Sequence, residues 1–147
     1  MRAISLHRPW ANLMAIGLKR IETRGFYTSY RGDLAIHAAQ KYVHVPELLE
    51  FIPRENELPT GIVCIVELYN CVQITGGETI PHPEILFGNY EPGRFMWKTR
   101  RLRVFTPIPW KGAQGFFQVP DNILEATYGK DNVHQMRDPE DPQGVLF

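Results

Sequence analysis

Apolar and polar residues alternate along several short segments of the chain, which is the pattern of half-buried β-strands. In the clearest segment, residues 61–69, side chains on both faces are mostly apolar, so the sequence predicts a central strand there. Further strands are predicted at 4–6, 34–38, 95–99, 102–105 and 116–119, with an extended segment at 19–24 and a continuation of the central strand after a bend at 72–75. The predicted core lies along these strands and includes Ile36, Val63, Ile65, Val66, Phe95 and Phe116.

A helical period replaces this alternation near the start of the chain. Trp10, Leu13 and Met14 recur at helical spacing, with Pro9 suited to the first turn and Gly17 suited to the end of the helix. The pattern therefore predicts a helix over residues 9–16 that turns these three side chains inward. A second short helix is predicted over residues 46–51, and the Gly- and Pro-rich residues 76–93 are predicted to form a loop.

The order of these elements indicates an α+β fold that is mainly β. Five or six short strands with two short helices are typical of a small β-barrel with flanking short helices. A length of 147 residues suits one domain. We predict that residues 1–127 form this domain and that residues 128–147 form a loosely held polar tail.

Charge is distributed unevenly, although the formal net charge is zero. The segments 1–40, 41–93, 94–119 and 120–147 carry net charges of +4, −6, +6 and −4. Two basic segments that meet in space would attract phosphate or another anion. Charge alone favours the simpler interpretation, in which oppositely charged segments neutralise each other across the sheet.

Several classes of protein are not indicated by the sequence. No apolar run approaches the roughly 20 residues that cross a bilayer, and the first residues lack the pattern of a signal peptide. Cys64 and Cys71 are then expected to be reduced thiols in a cytoplasmic protein. The five histidines are scattered and no phosphate-binding glycine pattern occurs, so we expect no metal and no cofactor.

Six motifs occur along the chain in a fixed order. They are SLHRPWA at 5–11, GLKRIETR at 17–24, YRGDLAIHA at 30–38, GIV at 61–63, GRFMW at 93–97 and PIPWKGAQGF at 107–116. In this order and spacing they resemble the ASCH domain family of the PUA-like superfamily. The hallmark of that family is a G-x-K-x-x-E-x-R segment after the first helix. The resemblance covers residues 1–119.

The resemblance implies a PUA-like β-barrel that binds RNA or a modified nucleotide in a basic cleft beside the first helix. Some relatives deacetylate N4-acetylcytidine and others are reported to be ribonucleases, so a small metal-independent hydrolase that uses the same cleft is an alternative. In the deacetylating relatives a lysine and a threonine share the hallmark segment; Lys19 matches the lysine, and Glu22 stands at the threonine position. A further alternative is a protein-interaction scaffold in an RNA-linked assembly.

The hallmark segment supplies the main candidate residues. Arg24 can contact phosphate, Glu22 a base amino group, and Lys19 a carbonyl or phosphate. The simpler interpretation is an exposed ladder of ion pairs worth about 0–1 kcal/mol. For catalysis the candidates are Lys19, Glu22 and Glu67, with Glu67 either a proton shuttle or, as we favour, the structural partner of an arginine.

Other candidate ligand-binding residues lie outside that segment. Ser5 and His37 are expected near the cleft, although no nucleophile-elbow pattern supports a hydrolytic triad, and a hydrogen bond from His37 is favoured. A base stacked on an aromatic ring gains roughly 1–3 kcal/mol. The aromatic candidates are Trp10, Phe26, Tyr27 and Trp97, of which Phe26 and Tyr27 are favoured because tryptophans in such positions are more often core. The candidate phosphate track is Arg100, Arg101 and Arg103, and a solvated outer face is an equally good interpretation of these three.

Overall fold

Strands dominate the computed structural model, which describes residues 1–52, 54 and 57–133. The strands are β1 (Arg2–Arg8), β2 (Ile21–Arg24), β3 (Gly32–Tyr42), β4 (Gly61–Gln73), β5 (Phe95–Ile108) and β6 (Phe117–Gln118). The helices are α1 (Trp10–Ala15), α2 (Ile123–Tyr128) and α3 (Lys130–Val133), with short 3₁₀ helices at Pro46–Leu48 and Glu84–Phe87. Most of the predicted tail lies outside the described residues, and its boundary stays a prediction.

Within the described residues the strands form one six-stranded mixed sheet in the order β2-β5-β4-β3-β1-β6. Strands β1 and β3 are parallel, and the other neighbours are antiparallel. The prediction of a mainly β fold of five or six strands with few short helices is confirmed, with six strands in the described sheet. Closure into a barrel is not confirmed, because β2 and β6 remain the edges of this sheet.

Strand β5 is continuous where the sequence predicts two strands with a break at residues 100–101. Two arginines fill that gap, and both are held by neighbouring elements. Arg101 is buried and donates to the Ala15 carbonyl oxygen at 2.8 Å. Arg100 Nε lies 3.0 Å from Glu67 Oε1 as an ion pair without hydrogen-bond geometry. The pair joins an acidic and a basic segment across the sheet, as the charge pattern predicts.

The sheet has a hydrophobic cluster on each face. Ile36, Val63 and Val66 pack with α1 residues in one cluster, and Ile65 packs with α2 residues in the other. Phe95 and Phe116 are only partly buried beside the first cluster. Full burial of a Val, Ile or Phe side chain stabilises a fold by about 1.5–3 kcal/mol relative to an exposed position. Both faces of β4 are therefore covered, which explains its nearly continuous apolar sequence.

Helix α1 ends in a tight turn that sets the position of β2. Gly17 has φ +86, and a Cβ atom there would lie 2.7 Å from the Arg101 guanidinium carbon, so only glycine fits without strain. Leu13 and Met14 are buried as predicted, and Trp10 is partly buried. The turn is followed by Lys19, which lies two residues before the start of β2. The predicted second helix forms only the 3₁₀ helix Pro46–Leu48.

Candidate functional site

A cleft of about 870 Å³ opens beside α1. Its walls come from β1, β2, the segment 86–89 and the segment 113–115. The fold brings four of the predicted site residues to its lining, namely Ser5, Trp10, Glu22 and Arg24. Ligand pockets in proteins are commonly about 300–1,000 Å³, so the cleft is large enough for a nucleotide.

Glu22 lies between two cations on the floor of this cleft. Arg24 Nε donates to Glu22 Oε2 at 2.9 Å, and Lys19 Nζ lies 3.4 Å from Glu22 Oε1. Glu22 and Arg24 share one face of β2 because residues two apart on a strand point the same way. Glu22 keeps 14% of its side chain exposed and Arg24 keeps 23%. The cluster carries one negative and two positive charges.

Lys19 is buried, and its side chain is 0% exposed. Its ammonium donates to the backbone oxygens of Ile21 and Phe87, the latter at 3.1 Å, and faces Glu22. Two of its three N–H donors are thus used by backbone oxygens, and Glu22 adds an ion pair at 3.4 Å. Lys19 therefore serves as a charged anchor that ties the segment around Phe87 to β2, which is a poor arrangement for a nucleophile.

Trp97 lies below Arg24 in the hydrophobic core. The Arg24 guanidinium carbon is 5.7 Å from the centre of the indole, within the range of a cation–π contact. Trp97 Nε1 donates to the Phe26 carbonyl oxygen at 3.3 Å, and the two rings meet edge to face. Trp97 therefore supports Arg24 from beneath. Phe26 and Tyr27 are exposed and stand outside the lining of the cleft.

Ser5 and His37 are partners in the parallel pairing of β1 and β3. Ser5 Oγ lies 3.0 Å from His37 Nδ1, and His37 Nε2 lies 2.7 Å from the Trp110 carbonyl oxygen. A carbonyl only accepts, so Nε2 carries a proton and donates to Trp110, while Nδ1 and the Ser5 hydroxyl share the second hydrogen bond. Ser5 reaches the cleft, whereas His37 lies behind it.

The basic stretch of β5 and Glu67 lie elsewhere on the sheet. None of Arg100, Arg101, Arg103 and Glu67 lines the cleft. Arg101 is buried against α1, and the Arg100 guanidinium lies 4.5 Å from the centre of the Tyr69 ring. These four predicted residues therefore lie outside the cleft that Glu22 and Arg24 line.

Three residues that were not predicted as site residues lie at or near the site: Arg94, in the motif at 93–97, and Glu84 and Tyr90, in the loop predicted at 76–93. Arg94 lines the cleft and donates to the backbone oxygens of Asn89 and Thr23 at 3.0 and 3.2 Å. Glu84 and Tyr90 lie behind β2. Their only sequence signal is their place in a Gly- and Pro-rich segment, where no periodicity indicates which side chains turn inward.

Glu84 is a buried carboxyl next to the Lys19 anchor. Its Oε1 accepts from the Arg20 amide at 2.7 Å, and its Oε2 has no hydrogen-bond partner in the described part of the chain. Burial raises the pKa of Glu84, and the Arg20 amide and the Lys19 charge oppose that rise. Burial also raises the pKa of the Tyr90 hydroxyl, and the charges of Glu84 and Glu22 add to the effect.

Neither a metal-ligand cluster nor a membrane-spanning helix occurs in the ranges 1–52, 54 and 57–133. No group of three or more His, Cys, Asp and Glu side chains in these ranges is placed to hold a metal ion. No helix in the same residues is long and apolar enough to cross a membrane.

The chain is similar in sequence to known proteins. A sequence model of the ASCH domain matches residues 4–112. Activating signal cointegrator 1 from Homo sapiens and from Mus musculus are each 33% identical over 81 residues, covering 47% of this chain and 14% of the relative. The chain thus matches only a small part of the length of these curated relatives.

The structural match covers nearly the whole fold. The crystal structure of a mutant ZmASCH protein from Zymomonas mobilis aligns with a TM-score of 0.50 and 13% sequence identity. The alignment covers 88% of this chain and 96% of that chain. At this identity the likeness concerns the fold alone.

Proposed function

This chain belongs to the ASCH domain family, and on that premise we propose that it binds single-stranded RNA or a modified nucleotide in the cleft beside α1. The observation that carries the proposal is the bridge from the buried Lys19 through Glu22 to Arg24, of which Glu22 and Arg24 line the cleft. Glu22 is the only carboxylate among the described lining residues, and two cations compensate its charge. The floor is therefore positive and still offers a directional acceptor.

The floor and walls suit the parts of a nucleotide. Each carboxylate oxygen has more than one acceptor site, so Glu22 can take a base amino hydrogen while it holds its two cations. The outer N–H groups of Arg24 can donate to a base carbonyl or a phosphate oxygen. Trp10 and Leu86 supply apolar surface, and Arg94 adds a cation at the same cleft. We propose the cytoplasm as the place of action.

The two alternatives have less support. A hydrolase that uses Lys19 as its nucleophile would need this ammonium to lose its proton while it donates to the Ile21 and Phe87 carbonyls and faces Glu22. A pure scaffold would not need polar side chains that converge on a concave floor. Binding, in contrast, requires no proton to leave the Lys19 ammonium.

The experiment compares two arginines of β2 and β5. Fluorescence anisotropy with a labelled eight-nucleotide RNA measures the Kd of the natural chain, of Arg24→Gln and of Arg100→Gln. A hydrogen bond to a charged group contributes about 1.5–3 kcal/mol, so Arg24→Gln is expected to weaken binding roughly 10- to 150-fold. Arg100→Gln is the matched control, because Arg100 lies outside the cleft, and it is expected to change Kd less than about twofold.

The reverse order of effects would move binding to the basic stretch of β5 and reject the cleft. Circular dichroism and thermal unfolding of each variant show that a change in Kd reflects a lost contact and not an unfolded chain. Equal Kd values for all three proteins would also reject the proposal.

A further inference from the structure

A second cleft of about 670 Å³ adjoins the first. It lies between the end of β3, the start of β4 and the segment 109–114. Four residues line both clefts, namely Ser5, Ala39, Ala113 and Gln114. A ligand longer than one nucleotide can therefore pass from one cleft into the other along this shared wall.

The second cleft has the side chains that a nucleotide needs. Lys111 is its only charged residue among the described lining residues, and no carboxylate lines it. Trp110 keeps 39% of its surface exposed, and within residues 1–52, 54 and 57–133 its indole makes no ring contact. An exposed indole is a platform on which any base can stack, and an ammonium attracts phosphate.

The segment that carries these two side chains is fixed from below. His37 donates to the carbonyl oxygen of Trp110 at 2.7 Å and is itself held by Ser5. Gly112 packs so closely on this pair that a Cβ atom there would lie 2.6 Å from His37 Nδ1. A surface fixed before the ligand arrives loses less entropy on binding. The Ser5–His37 pair thus positions the segment 109–112.

We propose that the second cleft is a subsite for the next nucleotide of a single-stranded RNA, with its base on Trp110 and its phosphate at Lys111. The inference rests on the proposed function and narrows it, since the ligand becomes an oligonucleotide of at least two linked nucleotides. A free nucleoside fills the first cleft alone. The shared wall at Ser5 and Ala39 is where the chain of the ligand crosses.

Calorimetric titration with cytidine monophosphate and with a cytidine dinucleotide tests the subsite. The natural chain is expected to bind the dinucleotide at least about 10-fold more tightly than the mononucleotide. Stacking of one base contributes roughly 1–3 kcal/mol, so Trp110→Ala is expected to weaken dinucleotide binding about 5- to 150-fold. The same variant is expected to leave the mononucleotide Kd unchanged, and Trp110→Phe, which keeps an aromatic ring, is expected to retain most of the gain.

Lys111→Gln supplies an independent readout. For single strands the slope of log Kd against log salt changes by about 0.7 for each phosphate contact, so this variant is expected to flatten the dinucleotide slope by about that amount. The mononucleotide slope is expected to stay the same.

Two failures are distinguishable. Mononucleotide binding that depends on Arg24, without a gain from the second nucleotide or with a gain that Trp110→Ala leaves intact, would overturn the subsite and leave the proposed function standing. Absence of binding by either ligand, together with no RNA binding in the anisotropy experiment, would overturn both.

Discussion

At the scale of single residues, the buried Lys19 side chain holds together the elements beneath the cleft. Its ammonium joins β2 to the segment around Phe87 and balances the carboxylate of Glu22. A buried charge without partners is very unfavourable, so these three contacts are what allow a lysine in this position. Removal of Lys19 would leave Glu22 with Arg24 alone.

We expect Lys19→Met to reduce the free energy of unfolding by about 3–5 kcal/mol, because it removes the cation of a buried ion pair. It also leaves the Ile21 and Phe87 carbonyls without their donor. Urea unfolding followed by circular dichroism measures the change. Lys41→Met is the control, since Lys41 is exposed on β3, and its effect is expected to stay within about 0.5 kcal/mol. Similar curves for both variants would show that the Lys19 contacts contribute little.

Glu84 gives the stability of the protein a pH dependence of defined sign. Its pKa in the folded protein is raised by burial, so the unfolded chain releases this proton at lower pH than the folded one. The stabilisation that Glu84 provides is therefore complete below its ordinary pKa and falls as pH rises through the folded value. As pH rises from the ordinary pKa of Glu84 to its raised pKa in the folded protein, we expect the free energy of unfolding of the natural chain to fall relative to that of Glu84→Gln.

Urea unfolding of both proteins at a series of pH values from 3 upward tests this expectation. Glu78 is the contrasting residue, because the Thr75 and Gly76 amides lower its pKa from 4.5 to about 2. Its stabilisation is present above 4.5 and is lost as pH falls towards about 2, so Glu78→Gln is expected to show the opposite trend. Parallel curves for the natural chain and Glu84→Gln would contradict the assignment.

At the scale of elements, the segment 109–115 depends on its close approach to β1 and β3. Gly112 contacts Ser5 and His37 directly, and the fold leaves no room for a methyl group between them. Two residues before Gly112, the Trp110 carbonyl oxygen is hydrogen-bonded to His37. The position of this segment, which contributes to both clefts, therefore depends on Gly112, because a side chain at this position would collide with Ser5 and His37.

We expect Gly112→Ala to lower the free energy of unfolding by about 1–3 kcal/mol, because the added methyl must push the segment off the Ser5–His37 pair. Thermal and urea unfolding measure the loss. Gly25→Ala is the matched control, since the nearest atom to its Cβ, Arg94 Nη1, is 3.9 Å away. A loss for Gly25→Ala as large as that for Gly112→Ala would remove the steric explanation.

At the scale of the whole molecule, a net charge of zero conceals a local excess of cations. Opposite charges neutralise each other away from the clefts, as Arg100 and Glu67 do across β4 and β5. Arg24 and Arg94 line the first cleft and Lys111 lines the second. With so few cations at the clefts, binding of RNA should be weak and should depend moderately on salt.

Three phosphate contacts at about 0.7 each predict a slope near −2 for log affinity of single-stranded RNA against log salt. Anisotropy titrations between 50 and 300 mM salt, roughly the range in which counterion release dominates, measure it. Arg94→Gln is expected to reduce the magnitude of the slope by about 0.7, the value for one phosphate contact. Lys98 lies outside both clefts, so Lys98→Gln is expected to leave the slope unchanged. Affinity that is indifferent to salt would reject the electrostatic account.

Local sequence determined the elements and part of the site. The apolar run around Val63 and Val66, with both faces apolar, predicted β4, and the helical spacing of Leu13 and Met14 predicted α1, because the faces that a segment buries determine how its apolar residues recur. The order of the motifs predicted the family, which the match over residues 4–112 confirms. Glu22 and Arg24 come together for the same local reason, since both lie on one face of β2.

Tertiary structure decided what residues far apart in the chain do to one another. Ser5, His37 and Trp110 meet only through the parallel pairing of β1 with β3 and the return of the chain after β5. Glu84 is buried by the path of an aperiodic loop, and Glu67 is directed to Arg100 by strand register. Register and loop path depend on contacts between distant segments, whereas periodicity reports only how each segment is buried.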